Sequence, residues 1–189
     1  KLNPSSFLKI QFGKNPELKS YWNYVPMQNN KISLNEAIEK YQILLEKAIK
    51  KQMISDVPVG LLLSGGIDSA VIGKIMSEQQ KITTYTIGFE GVGDFNEIED
   101  AKETARFLGI ENKSIVISKN EYLDFFFKSF YYTEEPISET TIPALYYVCN
   151  LASKDLKVVL AGQGADEPLA GYKRYFGEKI LNKYCLLYT

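Results

Sequence analysis

The 189-residue sequence contains no histidine. That absence removes imidazole acid–base chemistry and every triad built on it. Cysteine is scarce. Cys149 and Cys185 are the whole complement, with no metal-ligand spacing, and they read as free, buried, cytosolic thiols. No apolar run approaches a membrane span, and no stretch reads as a signal peptide. The expectation is a cytoplasmic protein with no membrane partner. An excess of one charge is also missing: 22 Lys and Arg stand against 23 Asp and Glu. A general nucleic-acid surface is therefore not expected. There is no G-x-x-x-x-G-K-[ST] string, which excludes a Walker loop. The sequence opens at Lys1 without a methionine, so a fragment or trimmed product is expected.

What is present is ordinary in bulk. An apolar content of 45% suits one good-sized domain, or one domain plus part of another. Thirteen tyrosines and ten phenylalanines are scattered along the chain, and they read as core rather than as a stacking platform.

The informative stretch is Leu61-Leu62-Leu63-Ser64-Gly65-Gly66-Ile67-Asp68-Ser69. An apolar run from Val59 to Leu63 empties into Ser-Gly-Gly, and a helical pattern starts at Asp68-Ser69. Glycines let the backbone approach an anion. Two serine hydroxyls and a helix N-terminus supply donors and a positive dipole end. Asp68 would repel a bare phosphate, so its presence implies a cation, Mg²⁺ being the natural one. The bland alternative is a Gly-rich strand-to-helix turn with no ligand.

Around this loop the chain alternates strands and helices. Residues 1–24 read as a hairpin, with a half-buried strand at Phe7–Phe12 and a return at Leu18–Trp22. Such a hairpin is marginal alone and reads as the tail of a preceding β-rich domain. Tyr24 to Lys31 is a linker, and 25–189 is the main domain. Ser33–Glu36 is a capping box opening a helix to about Gln52. Its apolar stripe of Leu34, Ala37, Ile38, Tyr41, Leu44, Leu45 and Ala48 predicts a core-facing helix. Strands are expected at 59–63, 82–89, 114–117 and 157–161. Helices are expected from Asp68, from an Asn96 cap, from the Ser118–Glu121 capping box, from Thr140 with Pro143 in its first turn, and after Gly171. This order predicts an α/β fold: a parallel twisted sheet with helices on both faces, preceded by the short hairpin. Ligands of such sheets bind beyond the C-terminal strand ends. Ser64–Ser69, Gly88–Phe89 and Gly162–Glu167 are all placed there.

The last of these, Gly162-Gln163-Gly164-Ala165-Asp166-Glu167, fails as a dinucleotide fingerprint because Glu167 stands where the third glycine belongs. Asp166 is better placed as a second carboxylate for Mg²⁺, opposite Asp68. Alternatively, Asp166-Glu167 simply begins the next helix, where acidic residues are common.

The string Ser64-Gly65-Gly66-Ile67-Asp68-Ser69 resembles the pyrophosphate loop of the N-type ATP pyrophosphatases. Val57 to Ser69, then Val158 to Glu167 and Gly171-Tyr172, resemble the synthetase domain of glutamine-dependent asparagine synthetases from about residue 30 onward. The resemblance implies the adenine nucleotide alpha hydrolase-like fold of that superfamily. It implies adenylation of the aspartate side chain by MgATP, then displacement of AMP by ammonia from glutamine, giving asparagine, AMP and pyrophosphate. Mapped by motif, Leu62 and Ile87 would line the adenosine pocket, and Ala161 and Gly162 would contact the nucleotide. Ser64, Gly65, Gly66 and Ser69 would hold pyrophosphate, with Asp68 and Asp166 on Mg²⁺. The hairpin would be the end of a glutaminase domain belonging to the parent chain. A homodimer is one assembly the family allows.

Three departures qualify this expectation. Gln163 stands at the catalytic position where the family has an acidic residue, and glutamine carries no charge and cannot act as a base. Ala161 stands where serine is usual. The domain should also continue beyond Thr189 to a lysine thought to stabilise the transition state, so the chain alone is expected to be inactive. Gln163 keeps open amide formers for other acceptors, such as surface-polysaccharide sugars, and a non-catalytic nucleotide-binding relative. A relative acting on a nucleotide or tRNA fits the near-neutral charge less well. Acceptor contacts are expected near Glu135 to Thr141.

Overall fold

The computed structural model describes residues 2–23, 31–91, 93, 96–134 and 140–185. The expected linker over 24–30 and the stretch 135–139, which holds Glu135-Pro136, lie outside the described residues, as does the Cys185 side chain. The chain separates into two compact units, Lys1–Tyr41 and Gln42–Thr189.

The first unit carries a two-stranded antiparallel hairpin, β1 (Ser6–Lys9) and β2 (Glu17–Ser20), paired from Ser6 opposite Ser20 to Lys9 opposite Glu17. The expected half-burial is not found. Phe7, Leu8, Ile10, Phe12 and Leu18 are all exposed, so the alternating pattern has no covering layer within these residues.

Helix α1 (Leu34–Gln52) crosses the boundary between the units. Its start matches the capping-box expectation in part: the Glu36 N–H donates to Ser33 Oγ at 3.3 Å. Its buried face differs from the expected stripe. Leu34, Ile38 and Leu44 are exposed and so is Ala48, whereas Ile49 is buried and Leu45 and Met53 pack beside it. The spacing 45, 49, 53 follows one narrow face of the helix.

The second unit is built on a four-stranded parallel sheet in the order β5-β4-β3-β6. The strands are β3 (Val59–Leu62), β4 (Thr83–Phe89), β5 (Glu111–Ile117) and β6 (Val158–Leu160). The helices are α2 (Ile67–Ser77), α3 (Ile98–Leu108), α4 (Lys119–Thr133), α5 (Ile142–Ser153), α6 (Asp166–Leu169) and α7 (Lys173–Cys185). Both faces of the sheet are covered. On one face Val59, Leu61 and Leu63 pack with Met76 of α2 and with Ala101 and Ala105 of α3. On the other, Tyr85 packs with Val148 and Ala152 of α5, flanked by Leu62, Ile87 and Val159. Alternation along a strand thus assigns odd and even residues of β3 to two separate cores.

Local stops follow sequence chemistry. Gly109 ends α3 at φ 67°, a left-handed position that glycine adopts without strain. Ser118 caps α4, and Glu121 completes a reciprocal box. Asn96 was expected as the N-cap of α3, but that position is held by Glu97. Asn96 still accepts the Ile98 N–H at 3.3 Å. Strand β5 starts three residues earlier than expected, at Glu111. Asn112 of that polar start donates to Thr84 Oγ1 at 3.0 Å and to Thr86 Oγ1 at 2.9 Å.

Candidate functional site

The C-terminal ends of β3, β4 and β6 open into one cleft of about 630 Å³. From the first loop it is lined by Leu62, Ser64, Gly66, Asp68 and Ser69, from β4 by Tyr85, Thr86 and Ile87, and from the second loop by Ala161, Gly162, Gln163 and Asp166. Nearly every residue singled out from the sequence is therefore brought together. Gly65 is the exception, since it does not line the cleft. Gly88 and Phe89 are corrections of a different kind. A Cβ on Gly88 would overlap Asn96 and Ile98, so this glycine permits the close approach of α3. Phe89 packs edge-on to Tyr122. The contribution of β4 to the cleft comes one turn of the pleat earlier, at Tyr85–Ile87.

The Ser64–Ser69 loop is held by its own serines. Ser69 is buried at 3% exposure. Its Oγ accepts the Ser64 N–H at 3.1 Å and lies 3.0 Å from Ser64 Oγ and 3.1 Å from the Gly66 carbonyl oxygen. Ser64 Oγ in turn accepts the Gly66 N–H at 3.2 Å. Gly66 is the N-cap of α2, and no side chain caps that end. The first amides of α2 thus lack a side-chain acceptor at the cleft, where an anion could take them.

Acidic groups surround this loop. Asp68 is in the first turn of α2, and Asp166 in the first turn of α6. Glu97, from the β4–α3 connection, accepts the Gly65 N–H at 3.2 Å and lines the cleft. The sequence offered no signal for it, because it lies 32 residues from Gly65 and belongs to no loop motif. Asp166 does begin a helix, as the bland alternative held, and it also lines the cleft.

The inner wall is apolar. Leu62, Ile87, Ala144, Leu145 and Val148 form it, and Tyr85 closes its base. Tyr85 is fully buried, and its hydroxyl donates to Asp155 Oδ2 at 3.1 Å. Burial and that carboxylate push the Tyr85 hydroxyl up to about 12. Away from the cleft, burial also raises the Cys149 thiol, which is free and half-buried.

The donor set suits a hard cation. Asp68 and Asp166 both present carboxylates to one cleft, and Mg²⁺ typically takes one or two carboxylates and completes its shell with phosphates and water. Among the described residues no group of three or more acidic, histidine or cysteine side chains is arranged to hold a metal by itself. No helix among them is long and apolar enough to cross a membrane.

Fold and site define the class first: an α/β protein with a polar two-loop cleft over an apolar pocket at the carboxyl ends of a parallel sheet. The family follows from comparison. Residues 40–188 match the family described as asparagine synthase, and the chain belongs to that family. It is 37% identical over 178 residues to asparagine synthetase [glutamine-hydrolyzing] 1 of Bacillus subtilis, covering 93% of this chain and 28% of that protein. It is 33% identical over 142 residues to asparagine synthetase [glutamine-hydrolyzing] 2 of Oryza sativa subsp. japonica, covering 67% of this chain and 23% of that protein. The chain thus spans about a quarter of the length of these relatives. Among solved structures it is similar to the NH3-dependent NAD synthetase of Campylobacter jejuni in complex with nitrate, at 20% identity and a TM-score of 0.45, over 75% of this chain and 61% of that one.

Proposed function

We propose that this chain is the ATP-binding part of an amide-forming ligase that adenylates a carboxylate, with the aspartate side chain as first candidate, and passes it to ammonia from glutamine. The observation that carries the reading is the meeting of two loops. Gly162 of the second lies directly against the first turn of α2, so Ser64–Ser69 and Gly162–Asp166 face one cleft in a chain of the asparagine synthase family.

In this reading a carboxylate oxygen of the acceptor attacks the α-phosphorus of ATP. The bond between the α-phosphorus and the bridging oxygen breaks, and pyrophosphate leaves. Ammonia then attacks the acyl carbon, the bond to AMP breaks, and a proton passes to water. Leu62 and Ile87 flank the adenosine, and Ala161 and Gly162 contact the nucleotide. Ser64, Gly65, Gly66 and Ser69 hold the departing pyrophosphate, Gly65 through its backbone N–H. Asp68 and Asp166 would hold Mg²⁺, which when bound neutralises phosphate charge. An anion must approach an anion here, so positioning and charge compensation carry most of the catalysis. The hairpin fits the end of a glutaminase domain in a longer parent.

A second reading rests on Gln163 and Ala161. Gln163 lines the cleft at the position where the resemblance expects a carboxylate. A glutamine there can orient a substrate but cannot carry charge, which fits a nucleotide binder or an amidotransferase for another acceptor. The test is pyrophosphate release from ATP by the intact parent protein with aspartate and ammonia. Release with aspartate supports asparagine formation. Release only with another carboxylate redirects the acceptor, and release only in Gln163→Glu makes the natural chain a binder.

A further inference from the structure

Glu97 reaches from the β4–α3 connection to the first loop. Its Oε2 accepts the N–H of Gly65 at 3.2 Å. Gly65 lies in the loop whose neighbouring amides are already spoken for. Ser64 N–H goes to Ser69 Oγ, and Gly66 N–H goes to Ser64 Oγ. The Gly65 amide is thus the one loop donor among Ser64, Gly65 and Gly66 that is held by a charged group from elsewhere in the chain. The carboxylate reaches it from the N-cap of α3, is exposed, and makes no side-chain cap of its own helix. It lines the same cleft as Ser64, Gly66 and Ser69.

We infer that Glu97 is an internal competitor for pyrophosphate: in the empty site its carboxylate takes the Gly65 N–H, and a polyphosphate must displace it to bind. This deepens the proposed function and rests on the Ser64–Ser69 loop being the pyrophosphate site. The physical basis is like-charge exclusion. A carboxylate and a phosphate cannot share one N–H donor without repulsion. The consequence is a weaker hold on the product. When pyrophosphate has formed, Glu97 re-engages Gly65 and favours its departure, which helps an enzyme whose leaving group is tightly bound by its own loop. Because Glu97 neither caps α3 with its side chain nor sits in a core, replacing it leaves the fold intact.

The test is calorimetric titration of this chain with inorganic pyrophosphate, in metal-free buffer and with Mg²⁺, for wild type, Glu97→Gln and Glu97→Ala. The amide spectrum of ¹⁵N-labelled protein is recorded alongside. In metal-free buffer Glu97→Ala should bind about fivefold more tightly than wild type, the size expected for one exposed, screened charge interaction. Glu97→Gln should also bind more tightly than wild type, since it loses the charge. The Gly65 amide resonance should move in Glu97→Ala and should move again when wild type takes up pyrophosphate. Equal or weaker metal-free binding by both variants, with wild type still binding in Mg²⁺, overturns the competitor while leaving the loop assignment in place. An unmoved Gly65 resonance in Glu97→Ala overturns it as well. Failure of wild type to bind pyrophosphate under either condition removes the loop assignment and this inference together.

Discussion

Gly162 lies against Ser69: a Cβ built on Gly162 would stand 3.2 Å from the Ser69 backbone nitrogen and 3.5 Å from Asp68 Cβ. The obstacle is partly main chain at the start of a helix, so it cannot turn aside as a flexible side chain would. Gly162→Ala should therefore separate the two loops by a few tenths of an ångström. The expected result is about a tenfold loss of ATP affinity with a stability loss of only ~1–2 kcal/mol, the range for adding one methyl group to a packed contact. Calorimetric titration with ATP and urea unfolding check the two parts. Unchanged affinity would mean that the contact between the loops does not shape the nucleotide site.

Ser69 holds the first loop from inside. Removing its hydroxyl strands the Ser64 N–H, which it accepts at 3.1 Å, in a position where Ser69 is 97% shielded from solvent. Ser69→Ala should cost about 1–3 kcal/mol, the penalty of a buried donor left unmatched. It should also loosen the loop, which hydrogen exchange at Ser64 and Gly66 would report as faster exchange. A stability within a few tenths of a kilocalorie of wild type would count against the serine network as the loop's frame.

The order of strands and helices was legible because each element announces its own period and its own stops. Gly109 and the Ser118–Glu121 box mark helix ends through local chemistry alone, and the two loops follow apolar strands. Partners across space were not legible. The stripe on α1 satisfies helical periodicity, yet Leu34 and Ile38 are exposed while Ile49 and Met53 are drawn inward, because periodicity fixes a face but not what covers it. The polar start of β5 hid a strand for the same reason. Asn112 reads as loop until Thr84 and Thr86 are placed beside it on β4. Glu97 was invisible because its partner, Gly65, is a backbone amide brought near only by the fold.

Tyr85 ties the base of the cleft to the α5–β6 connection and carries a pH signature. Its hydroxyl donates to Asp155 Oδ2, which Lys113 Nζ also reaches at 2.8 Å. Burial first, then the bond to Asp155, raises Tyr85 from 10.0 to about 12. A raised pKa in the folded state means that the stability it contributes is complete below pH 10. That contribution falls as pH rises through about 12, because the unfolded tyrosine ionises first. Asp155 moves the opposite way. Its hydrogen bond from Lys113, then that from Tyr85, holds its carboxyl below the usual value. Its contribution is present above the ordinary aspartate range and is lost as the pH drops through the depressed value. Tyr85→Phe should unfold about 1 kcal/mol more easily at pH 7, the net worth of one hydrogen bond. Above pH 10 its stability should lack the wild-type decline. Urea unfolding of both proteins across pH 7 to 11 provides the comparison, and parallel curves would sink the assignment.

The last prediction concerns how Asp166 is aimed. A Cβ on Gly171 would overlap Asp166 Oδ1 and stand 3.0 Å from its Cγ, while the Gly171 N–H donates to the Asp166 carbonyl oxygen at 3.0 Å. The main chain at 171 thus passes against the Asp166 carboxyl group, and only glycine leaves it that room. If Asp166 is a Mg²⁺ ligand, Gly171→Ala should displace the carboxylate and reproduce the phenotype of Asp166→Asn without touching the acidic residue itself. The expected outcome, for either variant, is a Mg²⁺ requirement for ATP binding raised by about tenfold, one carboxylate of the one or two that Mg²⁺ typically uses being lost or misplaced. Magnesium-free affinity for ATP should be unchanged or slightly higher, since a negative charge has been moved away from the phosphates. Calorimetry with ATP at graded Mg²⁺ separates these terms. A normal Mg²⁺ requirement in Asp166→Asn would take the metal role from Asp166. A normal requirement in Gly171→Ala alone would show that the carboxylate finds its position by rotating, and that the glycine serves only the turn into α7.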